Sequence, residues 1–201
     1  MTQRKPTVGI LAYGSLIDDP GDELTPHISR IIRDVVTPFS VEFARKSSSR
    51  GDAPTLVPHD DGAPVRATIL VVEASADHAS NMLWRRETRN TDVTLCYPGA
   101  RPDRPDAVRV ERIADLADVD LVLYTAISAN VTPLTPMHLA ELAVASVARA
   151  KSGLDGISYL IAAKSNGIAT PLSPAYEAKI LRMTVTDSLE QALASLRAIP
   201  V

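Results

Sequence analysis

The chain has 201 residues, enough for one large domain or a domain with an appendage. Hydrophobic residues make up 45% but Phe, Tyr and Trp only 4%, so the core has to be built mainly from Ala, Val, Leu and Ile. A net charge of −3 and a pI near 5.8 leave no basic footprint for nucleic acid, and no segment approaches the ~18 apolar residues of a membrane span.

Thr7 to Ala12 reads as the first strand, and its apolar run ends in a Tyr13-Gly14-Ser15-Leu16 turn. A turn at the end of such a strand exposes successive backbone N–H groups beyond the sheet edge, which suits an anion or an oxyanion. The same Gly14 serves equally as ordinary punctuation after a strand. The residues ahead of this strand show no cleavable signal pattern, so the expected location is cytoplasmic.

Thr25 as a cap, Pro26 in the first helical position and Leu24, Ile28, Ile31, Ile32 and Val35 at helical spacing predict a helix that Thr37-Pro38 stops. Phe39, Val41 and Phe43 then alternate with polar neighbours, as in a strand with one buried face. Arg45 to Asp52 reads as a loop, and its Arg-Gly-Asp triplet is a chance match. Pro54–Pro58 and Val65–Glu73 flank Asp60-Asp61-Gly62, so a hairpin-like pair is expected.

Ser75 is a plausible N-cap for a helix running to Glu87. At ~100° per residue Ala76, Ala79, Leu83 and Glu87 share one stripe and Arg85 points to the opposite side. A carboxylate on an apolar stripe either meets a specific partner or is desolvated, and a desolvated carboxylate suits proton transfer. The plainer use of Glu87 is as a surface carboxylate at a helix end, paired with Arg86 or Arg89.

Val93–Tyr97, Val108–Ile113 and Leu121–Ile127 are expected as further strands, giving a sheet of five to seven. Cys96 is the only cysteine; it allows no intrachain disulfide or CxxC site and is expected to be a plain structural or surface thiol. From Thr132 onward the chain reads as helical. Thr135-Pro136 opens a helix with Leu139, Leu142, Ala143 and Val147 on one face, Ile157–Ala163 forms a short one, and Ser173-Pro174 opens another. Asp187 with Glu190 resembles a capping box ahead of Leu189, Leu193 and Leu196. Strands first and helices later is the α+β order. The Ala- and Leu-rich helix Pro136 to Ala150 serves equally for packing on the sheet or on a second copy in a homodimer.

Several chemistries lack their signatures. Ser15 has no G-x-S-x-G elbow. The four histidines form no HExxH, so no metal site is indicated, and neither GxGxxG nor GxxxxGK[ST] occurs.

In order, the YGSL turn at Tyr13–Leu16, Ala53-Pro54-Thr55-Leu56-Val57-Pro58, the strand ending Val71-Val72-Glu73, the helix ending Leu83-Trp84-Arg85-Arg86-Glu87 and the segment Gly153–Leu160 resemble the gamma-glutamylcyclotransferase-like family, in its ChaC-type branch. The resemblance spans most of residues 7 to 165. It implies a single domain with a small mixed barrel-like β-sheet, flanking helices and a C-terminal helical extension over about residues 132–201. It also implies a cavity between the YGSL loop and the end of the Glu87 helix. The implied activity is cyclisation of a small gamma-glutamyl substrate to 5-oxoproline with release of an amine or amino acid, and no cofactor. Glu87 would be the general acid/base, and Tyr13, Gly14, Ser15 and Leu16 the substrate-binding loop. Leu16 stands where the mammalian-type branch has Asn, so the donor stays open. A second reading, from another class, is a non-catalytic module that holds a small anion or a protein partner on the same fold.

Overall fold

Residues 6–101, 103–104 and 106–198 are described by a computed structural model of the chain. The strands are β1 (Val8–Ala12), β2 (Ile28–Val36), β3 (Val41–Ser47), β4 (Ala53–Pro58), β5 (Arg66–Val72), β6 (Arg109–Leu116) and β7 (Val119–Ala126). The helices are α1 (Ala76–Thr88), α2 (Pro136–Arg149), α3 (Gly156–Ser165), α4 (Ser173–Thr184) and α5 (Leu189–Ala198). Two units divide them. The first takes the chain up to Thr37 and Arg66–Ser128; the second takes Pro38–Val65 and the chain from Ala129 onward.

The first unit is a five-stranded mixed sheet in the order β2-β5-β1-β7-β6. Every residue of β1 is buried, as suits a central strand made only of apolar residues and Gly9. It runs antiparallel to β5, with Ile10 opposite Leu70, and parallel to β7, with Ile10 opposite Leu123. One carboxylate pins the parallel register: Asp120 Oδ2 accepts from the Thr7 N–H at 2.6 Å and from its hydroxyl at 2.7 Å.

Helix α1 starts as expected, since the Ser75 hydroxyl accepts from the His78 N–H at 3.2 Å. Its Ala79, Met82 and Leu83 share one buried cluster with Val8, Ile10, Ala12, Leu70, Val72 and Leu123. Each fully buried Leu or Met contributes roughly 1.5–3 kcal/mol, so this contact fixes the helix on the sheet.

Three expectations for the strands are corrected. The helix over Leu24–Val35 is a single 3₁₀ turn at Thr25–His27 followed by strand β2. Its Ile- and Val-rich stretch pairs with β5 through two register shifts, and Asp34 takes a left-handed conformation at φ 61. Pro54–Pro58 does not pair with Val65–Glu73: β4 pairs with β3, and β5 with β1 and β2. Val93–Tyr97 is not a strand, because α1 captures its backbone. Asn81 Oδ1 accepts from the Tyr97 N–H at 2.8 Å, and Arg85 donates to the Leu95 carbonyl.

In the second unit β3 and β4 form an antiparallel pair, and α2 and α3 pack against β4. Phe43 lies at its centre, edge-on to Tyr176 at 5.4 Å and to Tyr159 at 6.1 Å. The fully buried Glu42 carboxylate accepts from the Phe43 N–H (2.8 Å), the Thr170 hydroxyl (2.5 Å) and the Leu172 N–H (3.1 Å), which ties the start of α4 to β3. Thr135 caps α2 as expected. The cap of α5 sits one residue later than expected: the Ser188 hydroxyl accepts from the Gln191 N–H, and the Gln191 side chain accepts from the Asp187 N–H. The α+β class, with a mixed sheet early in the chain and helices after it, is the one observed.

Candidate functional site

The YGSL turn and the end of α1 both belong to the first unit. Tyr13 leaves β1 with its side chain buried and donates its hydroxyl to the Thr125 carbonyl at the end of β7. The ring therefore anchors the loop to the sheet. Beyond it the chain closes one helical turn, since the Gly14 carbonyl accepts from the Ile17 N–H at 3.0 Å and the Ser15 carbonyl from the Asp19 N–H at 2.9 Å. The leading N–H groups of such a turn lack partners within it. Among the described residues, those of Gly14, Ser15 and Leu16 have no protein acceptor. Leu16 turns its side chain into the core cluster, so only its backbone is offered to the loop surface.

Glu87 lies in the last turn of α1, which Arg89 closes at φ 56. The negative end of the helix dipole disfavours a carboxylate there and favours the neighbouring Arg85 and Arg86. Glu87 is half-buried, and its Oε1 accepts from Arg86 Nη1 at 2.5 Å. The same guanidinium reaches the loop: Nη2 donates to the Asp19 carbonyl at 2.6 Å and to the Ser15 hydroxyl at 3.3 Å. Arg86 thus joins the expected loop to the expected carboxylate.

Arg85 departs from its expected outward position. Its side chain is only 3% exposed and donates through Nε (3.0 Å) and Nη2 (2.5 Å) to both oxygens of Glu23. Those hydrogen bonds hold the guanidinium above its ordinary pKa, against the opposing effect of burial. The two adjacent arginines therefore grip the segment after β1 at Ser15, Asp19 and Glu23. Sequence reasoning gave Arg86 no role beyond that of a surface partner for Glu87, and did not name Glu23 at all. The available signal was two successive arginines in the last turn of a helix whose stripe ends in a carboxylate.

In the second unit Arg50 stacks on Tyr159, with its guanidinium carbon 4.9 Å from the ring centre. Cys96 is free and exposed. Among the described residues no three His, Cys, Asp or Glu side chains converge as metal ligands, and no helix is long and apolar enough to cross a membrane.

No family model and no curated protein matches the sequence. Among solved structures the chain is similar to a gamma-glutamyl cyclotransferase specific to glutathione from yeast, with 15% identity, a TM-score of 0.46 and 96% of each chain covered.

Proposed function

We propose that the chain is a gamma-glutamylcyclotransferase-like enzyme that closes a gamma-glutamyl donor into 5-oxoproline and releases the attached amine or amino acid. The observation that carries this reading is the meeting of the YGSL turn and Glu87 through one arginine side chain. It puts a carboxylate and a set of unpartnered backbone donors at the two ends of a single guanidinium.

The chemistry asks for little else. Glu87 takes a proton from the donor's alpha-amine, whose nitrogen then attacks the gamma-carbonyl carbon of the same molecule. The tetrahedral intermediate collapses, the original C–N bond breaks, and Glu87 returns the proton to the departing nitrogen. Ring closure is intramolecular, so holding the folded conformer supplies several kcal/mol of barrier reduction. The N–H groups of Gly14, Ser15 and Leu16 serve the alpha-carboxylate or the developing oxyanion, where one preorganised donor is worth ~3 kcal/mol. A carboxylate retained in the last turn of a helix, against the dipole, is the kind of local cost that a functional position carries.

The test is 5-oxoproline release from a panel of gamma-glutamyl amino acids, amines and peptides, comparing wild type with folded Glu87→Gln. Turnover of at least one donor by wild type, with a loss of about 100-fold or more in the variant, upholds the assignment. Release from no donor removes the enzymatic reading in favour of an anion-binding module, and equal turnover by both proteins removes Glu87 as the base.

A further inference from the structure

Arg86 hydrogen-bonds to both halves of the site, and the contact with Glu87 is not a by-product of helix geometry. Successive residues on a helix diverge by ~100°, so neighbours do not ordinarily face each other. Arg86 folds along the helix end because its other nitrogen is held by the Asp19 carbonyl at 2.6 Å and the Ser15 hydroxyl at 3.3 Å. Its stem is confined as well: a Cβ placed on Gly21, itself at φ +86, would sit 3.2 Å from Arg86 Cγ. The adjacent Arg85 fixes the far end of the same segment at Glu23.

We infer that Arg86 is a positioning residue: it sets the Glu87 carboxylate and the amide-bearing turn at Gly14–Asp19 in one shared geometry, so that neither half moves without the other. The inference rests on the enzymatic reading above for its kinetic consequence and on the contacts alone for its structural one. A guanidinium is needed because its rigid fork addresses an acceptor on each side at once. A lysine ammonium is a single point on a flexible stem and holds one side or the other.

The experiment compares wild type with Arg86→Lys in two ways. The first is amide hydrogen exchange of Ile17 and Asp19, whose N–H groups close the turn. The second is the steady-state kinetics of 5-oxoproline release from a donor that wild type accepts. The expected result is exchange faster by about tenfold together with kcat lower by about 10–100-fold and KM raised, since misplacement by about 1 Å costs up to about 100-fold. A simple loss of folded protein lowers apparent kcat and leaves KM in place. Glu87→Gln is expected to lower kcat with KM little changed, which separates loss of the base from loss of the bridge.

Unchanged exchange, or faster exchange with unchanged kcat, overturns the inference. If wild type accepts no donor, the enzymatic reading fails and the exchange comparison decides the bridge by itself. Should Arg86→Lys not fold, Ser15→Ala removes one acceptor of the bridge without removing a charge. It is expected to quicken the same two amides by a smaller factor, and unchanged exchange there overturns the inference equally.

Discussion

Arg85 places both arms of its fork on Glu23, Nε at 3.0 Å and Nη2 at 2.5 Å, with the arginine side chain 3% exposed and the glutamate 30%. Removing only the carboxylate strands a buried cation. Glu23→Ala is therefore expected to cost about 2–3 kcal/mol, less than the roughly 3–5 kcal/mol for breaking a fully buried pair because one partner is partly solvated. In a chain of this size that lowers Tm by roughly 4–12 °C. Adding Arg85→Met, which removes the stranded charge, is expected to recover part of the loss. Thermal unfolding of the three proteins checks this, and a double variant less stable than Glu23→Ala refutes it.

Tyr176 is fully buried beside Phe43, and its hydroxyl has no hydrogen-bond partner among the described residues. An unsatisfied buried hydroxyl costs on the order of 1–3 kcal/mol, so deleting it while keeping the ring relieves a penalty. Tyr176→Phe is expected to leave stability unchanged or raise it by about 1 kcal/mol, whereas Tyr176→Ala is expected to lower it by about 3–5 kcal/mol. Urea titration decides. A loss of more than about 1 kcal/mol in the Phe variant means the hydroxyl has an acceptor in solution.

The same burial predicts how stability falls in alkali. Loss of solvation pushes the Tyr176 phenol far above its ordinary value, and it raises Tyr124 to a smaller degree. With the folded pKa above the unfolded one, the stabilisation is fully present below about pH 10. It is lost as pH rises past that point, where the unfolded chain sheds a proton that the folded chain keeps. The slope approaches about 1.4 kcal/mol per pH unit for each phenol held protonated. Urea midpoints measured from pH 8 to 11 are expected to drop above pH 10, and less steeply in Tyr176→Phe. Parallel profiles for the two proteins rule this out.

The elements legible in the sequence are those whose signals are local. Ser75 and Thr135 cap their helices because a hydroxyl three residues ahead of an N–H is a short-range fact. Strand β1 is legible for a similar reason, since an apolar run before a glycine turn suits a central position. Leu24–Val35 misleads because its apolar residues fall at helical spacing while their β-branched types favour a strand. Pairing with β5 settles it, and the bulge at Asp34 breaks the alternation that would have announced a strand. Val93–Tyr97 misleads in the opposite direction: its composition suits a strand, yet Arg85 and Asn81 bind its backbone groups along α1.

The site divides in the same way. The turn at Tyr13–Leu16 and the carboxylate of Glu87 are visible as residues. The contacts of Arg86 and Arg85 are not, since they join positions 71 and 62 apart in sequence. Helical periodicity placed Arg85 outward because it takes no account of a glutamate arriving from another segment. Burial of a charge is decided by its partner, and a partner at that distance leaves no periodic trace.

The two units are braided along the chain. The first closes only after the chain has left it at Thr37 and come back at Arg66, and the second is interrupted by the whole of Arg66–Ser128. No single cut separates them, so neither can be inherited, exchanged or produced as one contiguous piece. On the ribosome, β1 emerges well before β7, with the Thr7–Asp120 lock spanning 113 residues, and β3 and β4 emerge well before the helices that pack against them. Each half-made unit thus waits with apolar strands uncovered while the other is being spelled out, an interval in which chain order, more than final stability, governs exposure to aggregation.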